Sequence, residues 1–150
     1  MMSLLEPPAE PPQKSRALTI TVIVVLLVAA ITMYFTFRYY PEKKAAVQFF
    51  DALTAGNTAK AYALWKPTAS YTMNDFLADW GPSGYYGPVK SYKIMSVKSV
   101  RNSSSIAVNV AVSPYAPMPD ASDGEKSQKT KVVPIWVLPA DKSLSFPVPY

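Results

Sequence analysis

The chain of 150 residues contains no cysteine and no histidine. Disulfides, thiol nucleophiles, Cys/His zinc sites and imidazole-based acid–base or triad chemistry are therefore excluded in their usual forms. A Walker loop, a G-x-S-x-G elbow and an H-E-x-x-H pair are also missing. Glycine is scarce: three of only five fall in one octapeptide, GPSGYYGP, residues 81–88, which marks it as a tight turn region. Long basic runs are lacking too. No run exceeds two residues, so the net charge of +5 reads as a solvated surface, and a nucleic-acid partner is not expected.

Charge is wholly absent from Ala17 to Phe37, ALTITVIVVLLVAAITMYFTF, which is bracketed by Arg16 and Arg38. At the helical rise this stretch is about 31 Å long, the thickness of a bilayer's hydrocarbon. A buried helix of a soluble domain would carry a polar stripe at a period of 3.6, and none is visible. Residues 17–37 therefore read as a membrane-spanning helix whose four threonines can bond back to its own carbonyls. Val28-Ala29-Ala30 offers small residues for signal cleavage, but the apolar run continues to Phe37, beyond a typical signal core. An uncleaved single-pass anchor in a cell inner membrane is expected. Lys14 and Arg16 on one side balance Arg38, Lys43 and Lys44 on the other, so charge does not orient it. The usual behaviour of N-terminal anchors places the C-terminal domain outside the cytoplasm. Tyr34, Tyr39 and Tyr40 stand where the helix would leave the hydrocarbon.

Residues 1–16 contain EPPAEPP and read as a disordered, extended tail. Beyond the anchor, residues 42–150 suffice for one modest core. The spacing of Ala46, Phe49, Phe50 and Leu53 predicts a helix over 42–55 that stops at Gly56-Asn57. A second helix, 59–65, is capped by Thr58 and ended by Pro67, and a third, 72–80, is capped by Thr72 or Asn74 with Phe76, Leu77 and Trp80 apolar. The period then changes to two. Strands are expected at 89–100 and 105–114, the second with Ile106, Val108, Val110 and Val112 on one face. A long proline- and charge-rich connection leads to strands at 129–138 and 144–150, where Pro134, Pro147 and Pro149 call for bulges or an edge. The fold class is α+β: about three helices followed by an antiparallel sheet of about four strands.

This order, with Phe49-Phe50-Asp51-Ala52-Leu53 and then Gly56-Asn57-x-x-Lys60-Ala61-Tyr62-x-Leu64-Trp65, resembles the NTF2-like superfamily. The resemblance implies a curved sheet wrapped around the helices into a cone, able to dimerise through the sheet. Its enzymes place a carboxylate inside the cone, whereas no Asp or Glu occurs here between Val89 and Val112. Asp75 and Asp79, spaced i,i+4, could point the same way as an acid pair, or serve as a cap and a solvated surface group.

The reading that follows is a non-catalytic binding or scaffold protein acting through protein contacts at the membrane surface. Its partner would be another envelope protein or a second copy of itself. Contact residues are expected at Tyr85 and Tyr86 in the glycine-rich loop and at Tyr115 and Met118 in the long connection. The alternative is a small-molecule site or weak enzyme with a pocket of Phe50, Tyr62, Trp65, Tyr92 and Trp136, rings that core packing explains equally well. Arg38, Lys43 and Lys44 offer a third contact, with anionic lipid. No catalytic residue, metal site or cofactor is assigned.

Overall fold

The structure, a computed structural model, describes residues 10, 12 and 15–148. The readings placed on the rest of the tail, on Lys14 and on Pro149 lie outside the described residues. The chain divides into two compact units, residues 1–38 and 39–150.

In the first unit, α1 runs over Arg16–Phe37, and Ser15 caps it by accepting from the Leu18 N–H at 3.4 Å. None of its side chains is buried within the unit. It is the one helix, among the described residues, that is long and apolar enough to cross a membrane. Thr21, Thr32 and Thr36 donate to the carbonyls of Ala17, Val28 and Thr32 at 2.8–2.9 Å, so their hydroxyls are satisfied without water.

The second unit packs three helices, α2 (Tyr40–Thr54), α3 (Thr58–Trp65) and α4 (Met73–Trp80), on a curved four-stranded antiparallel sheet. Helix α2 begins two residues before the expected start because Pro41 suits a first turn. Its Ala46, Phe49, Phe50 and Leu53 form the expected buried face, and the earlier start also buries Glu42, whose Oε1 accepts from Lys142 Nζ at 3.0 Å. The cap of α3 is Asn57, one residue earlier than expected, accepting from the Lys60 N–H at 3.1 Å. Thr72 caps α4 in a reciprocal box with Asp75. Leu77 departs from the expected apolar face: it is exposed, while Phe76 and Trp80 are buried.

Strands β1 (Ser91–Ser99), β2 (Ile106–Ser113), β3 (Lys131–Val137) and β4 (Leu144–Ser145) lie in the order β1-β2-β3-β4. Ile94 pairs with Val110 and Ser96 with Asn109, so Met95 is an extra residue in a bulge. The bulge lets Tyr92, Ile94 and Val97 all pack on the core, although their spacing breaks strict alternation. Val108, Val110 and Val112 of β2 and Val133, Ile135 and Val137 of β3 complete the inner face. On the opposite face, Ala111 and Ser113 are buried as well. Pro134 faces Asn109 of β2, and β4 pairs only with Trp136 and Val137, so the missing proline N–H falls where β3 has no β4 neighbour. Strand β4 is shorter than the expected 144–150 among the described residues: it pairs only with Trp136 and Val137 and ends before Pro147, which has no ladder donor. The long connection contains one unforeseen helical turn, α5 (Glu125–Gln128).

The core is aromatic at its centre. Phe49 meets Phe50, Trp65, Phe76 and Trp80 at centroid distances of 5.1, 5.1, 6.2 and 5.2 Å, mostly edge to face. Each such contact adds about 0.5–1.5 kcal/mol to the burial of the rings.

Candidate functional site

The loop after α4 is held by its own backbone. The N–H groups of Gly84, Tyr85, Tyr86 and Gly87 donate to the carbonyls of Gly81, Ala78, Asp79 and Gly84 at 2.8–3.2 Å. A Cβ on Gly87 would stand 1.8 Å from the Gly81 carbonyl oxygen, so glycine is required by close approach. This rigid backbone sends the adjacent tyrosines in different directions. Tyr86 stacks on Trp80 at 5.0 Å and on Phe146 at 5.8 Å, and burial pushes its phenol above the ordinary value. Tyr85 is 65% exposed. Lys131 Nζ lies 4.0 Å from the Tyr85 ring centroid and also donates to the Tyr85 carbonyl.

The long connection is tied to the sheet nearby. Ser91 Oγ donates to the Tyr115 carbonyl at 2.5 Å and lies 3.4 Å from Met118 Sδ, while the Tyr115 N–H donates to Ser113 Oγ at 3.2 Å. The Tyr115 ring has Lys126 Nζ at 5.7 Å and Lys129 Nζ at 5.9 Å from its centroid. Lys129 also donates to the Tyr115 hydroxyl at 3.3 Å and pairs with Glu125 at 3.6 Å. The Tyr115 hydroxyl, followed by Glu125, holds this ammonium above the usual lysine value.

Between loop and connection lies a groove of about 380 Å³, walled by Tyr85, Tyr86, Pro88, Pro114, Lys129 and Lys131. The structure thus brings Tyr85 and Tyr86 to one edge of the domain with the segment that carries Tyr115 and Met118. Tyr86 is partly buried and packs against the core while also walling the groove, and Met118 is half-buried against Ser91. Sequence reasoning missed the three lysines. The available signal was the spacing Lys126-x-x-Lys129-x-Lys131, too sparse to stand out as a basic run.

Of the five residues of the expected pocket, Phe50, Tyr62 and Tyr92 make ring contacts in and around the core, and Trp65 and Trp136 line one groove. Phe50 is fully buried and stacks on Tyr92 at 5.2 Å. Tyr62 meets Phe76 edge-on at 5.3 Å and donates to the Tyr71 carbonyl at 3.0 Å, while Trp65 stacks on Tyr71 at 5.9 Å. Tyr92 donates to Asp51 Oδ1 at 2.6 Å; burial first, then this carboxylate, pushes its phenol upward. Trp136 alternates with buried Ile135 and Val137, which puts it on the opposite face of the sheet. Of the five, Trp65 and Trp136 line a second groove of about 610 Å³ at the β4 end, with Lys66, Tyr71, Ser145 and Phe146.

Asp75 and Asp79 are bonded to different partners. Asp75 Oδ2 accepts from the Thr72 N–H at 2.8 Å and its hydroxyl at 2.7 Å, whereas Asp79 Oδ2 accepts from the Tyr71 hydroxyl at 2.6 Å. Among the described residues, no three Asp or Glu side chains are grouped to hold a metal ion. Comparison with protein-family models, with curated proteins and with solved structures finds no match to this chain.

Proposed function

We propose that this chain is a membrane-anchored, non-catalytic binding protein of a cell envelope, in which residues 17–37 tether an NTF2-like domain that works by protein contact. The observation that carries the reading is Tyr85, 65% exposed on a loop whose N–H groups from Gly84 to Gly87 are bonded internally, beside the connection bearing Tyr115. A tyrosine presented this way offers a large contact area with little ordering cost on binding. The tether is supported by the length and apolar character of α1. The NTF2-like reading is supported by helices that precede a four-stranded antiparallel sheet, with Phe49, Phe50, Tyr62 and Trp65 in its core. Such folds serve many functions, so the assignment rests on the loop and connection rather than on the fold. The partner is another envelope protein or a second copy, met on the extracytoplasmic side.

The test is crosslinking in native membranes with an added bifunctional reagent, followed by identification of the neighbour. A discrete crosslinked product is expected, lost when Tyr85 and Tyr115 are both replaced by Ala in a chain whose melting is unchanged. Tyr86 is left intact because it stacks in the core. Retention of every neighbour by the double variant overturns the reading.

A further inference from the structure

We infer that Lys43 and Lys44 dock the start of α2 on anionic headgroups of the membrane that α1 crosses. This inference rests on the tether in the reading above and names a surface apart from the tyrosine loop. Both lysines are exposed, and among the described residues neither forms an ion pair. The positions three and four residues to either side of each hold no acid. The acids around the start of α2 are already matched. Glu42 is buried and its Oε1 accepts from Lys142 Nζ at 3.0 Å, while Asp141, next to Lys142, has Lys66 beside it, donating to its carbonyl. Asp51, the next acid on α2, stands about 10 Å further along the axis from Lys44 and accepts from Tyr92. Two positive charges are left without a partner at this end of the helix.

The covalent chain is what selects lipid as the counter-charge. Lys43 follows Phe37 by six residues, of which the last three steps belong to α2, so its Cα lies at most about 16 Å from the end of the apolar stretch by any path. A headgroup layer of about 6 Å and a field that decays over about 8 Å beyond it span most of that reach, and the long lysine stem covers the remainder. A soluble anion would need a cradle, and neither lysine lines the grooves described above. Two flexible point charges without a cradle suit a surface of many headgroups. Nor does their placement serve the helix. Lys43 stands in the first turn of α2, where a cation opposes the helix dipole, and a counter-charge outside the chain offsets that loss.

The experiment holds the full chain in nanodiscs of phosphatidylcholine alone, or of equimolar phosphatidylcholine and phosphatidylglycerol, and follows acetylation of each lysine by peptide mass spectrometry. With phosphatidylglycerol, Lys43 and Lys44 should label about fivefold more slowly, while exposed Lys126 is unchanged. The protection should vanish at about 1 M salt, where the screening length falls to about 3 Å. In native mass spectrometry, Lys43→Gln/Lys44→Gln should carry fewer phosphatidylglycerol molecules than the parent, and Lys43→Arg/Lys44→Arg should carry as many. Both positions are exposed, so these variants should melt as the parent does. Equal labelling in the two nanodiscs, equal slowing of Lys126, or the same protection from free inorganic phosphate with phosphatidylcholine alone overturns the inference. A chain that co-elutes with the nanodisc but shows no dependence on phosphatidylglycerol leaves the tether standing, whereas one that stays outside the nanodisc removes the tether and this inference together. The tyrosine variant above keeps both lysines and should keep their protection, so the protein-contact reading can fail alone.

Discussion

Asp75 and Asp79 stand one turn apart on α4, yet the folded chain gives them different tasks. Thr72's hydroxyl, and then its backbone N–H, hold the Asp75 carboxyl below the ordinary 3.8. A depressed value means that the cap contributes stability in full above the unfolded value and loses it as pH falls through the folded one. Asp75→Asn should therefore flatten the acid limb of melting temperature against pH, with the difference from the parent vanishing below the folded value. Parallel curves for parent and variant would show that the box contributes nothing. Asp79 and Asp51 instead accept from Tyr71 and Tyr92, whose phenols lie well above the ordinary 10.0 through burial first and these bonds second. The sequence left the cap open between Thr72 and Asn74, and the structure settles it on Thr72 in a box with Asp75. The tyrosine partners were not legible, because Tyr92 and Asp51 lie 41 positions apart and no local pattern links them.

Strand β1 is the element most at risk, since β2 is its one neighbour in the sheet and its other edge is open among the described residues. Its protection is visible in the chain: exposed Lys93 and Lys98, and the bulge at Met95 between them. Replacing both lysines by Val should leave the inner face intact and promote edge-to-edge association, detected as higher-order species by size exclusion in detergent at raised concentration. A variant that stays the size of the parent would mean that the bulge alone protects the edge. The bulge had a signal in Tyr92, Ile94 and Val97, apolar positions that change parity midway. Strand β4 had one too, since Pro147 and Pro149 argued for irregularity, but its reduction to two residues depended on how little of β3 it meets. At the α2 end, buried Glu42 is reached by Lys142, 100 positions later, and nothing in either segment announces the pair.

For the whole molecule, helix α1, uncharged from Ala17 to Phe37, and the aromatic-cored α+β unit behave as separate bodies in composition. The full chain should stay in the membrane fraction through an alkaline carbonate wash, and a chain lacking residues 1–38 should be released to the supernatant. Recovery of the full chain in the aqueous fraction without detergent would remove the tether. By itself the sequence determined that α1 is an apolar helix of spanning length, that helices precede strands, and which face of β2 is buried. These depend on local composition and on periods of 3.6 and 2, which short windows carry. Only the tertiary structure decided that Tyr85 faces outward while Tyr86 stacks on Trp80, and that Trp136 leaves the face occupied by Ile135. It also decided that Lys131 meets a tyrosine 46 residues earlier. Such contacts arise from packing between distant segments, where neighbouring residues of equal hydrophobicity are sorted by geometry that no local period encodes.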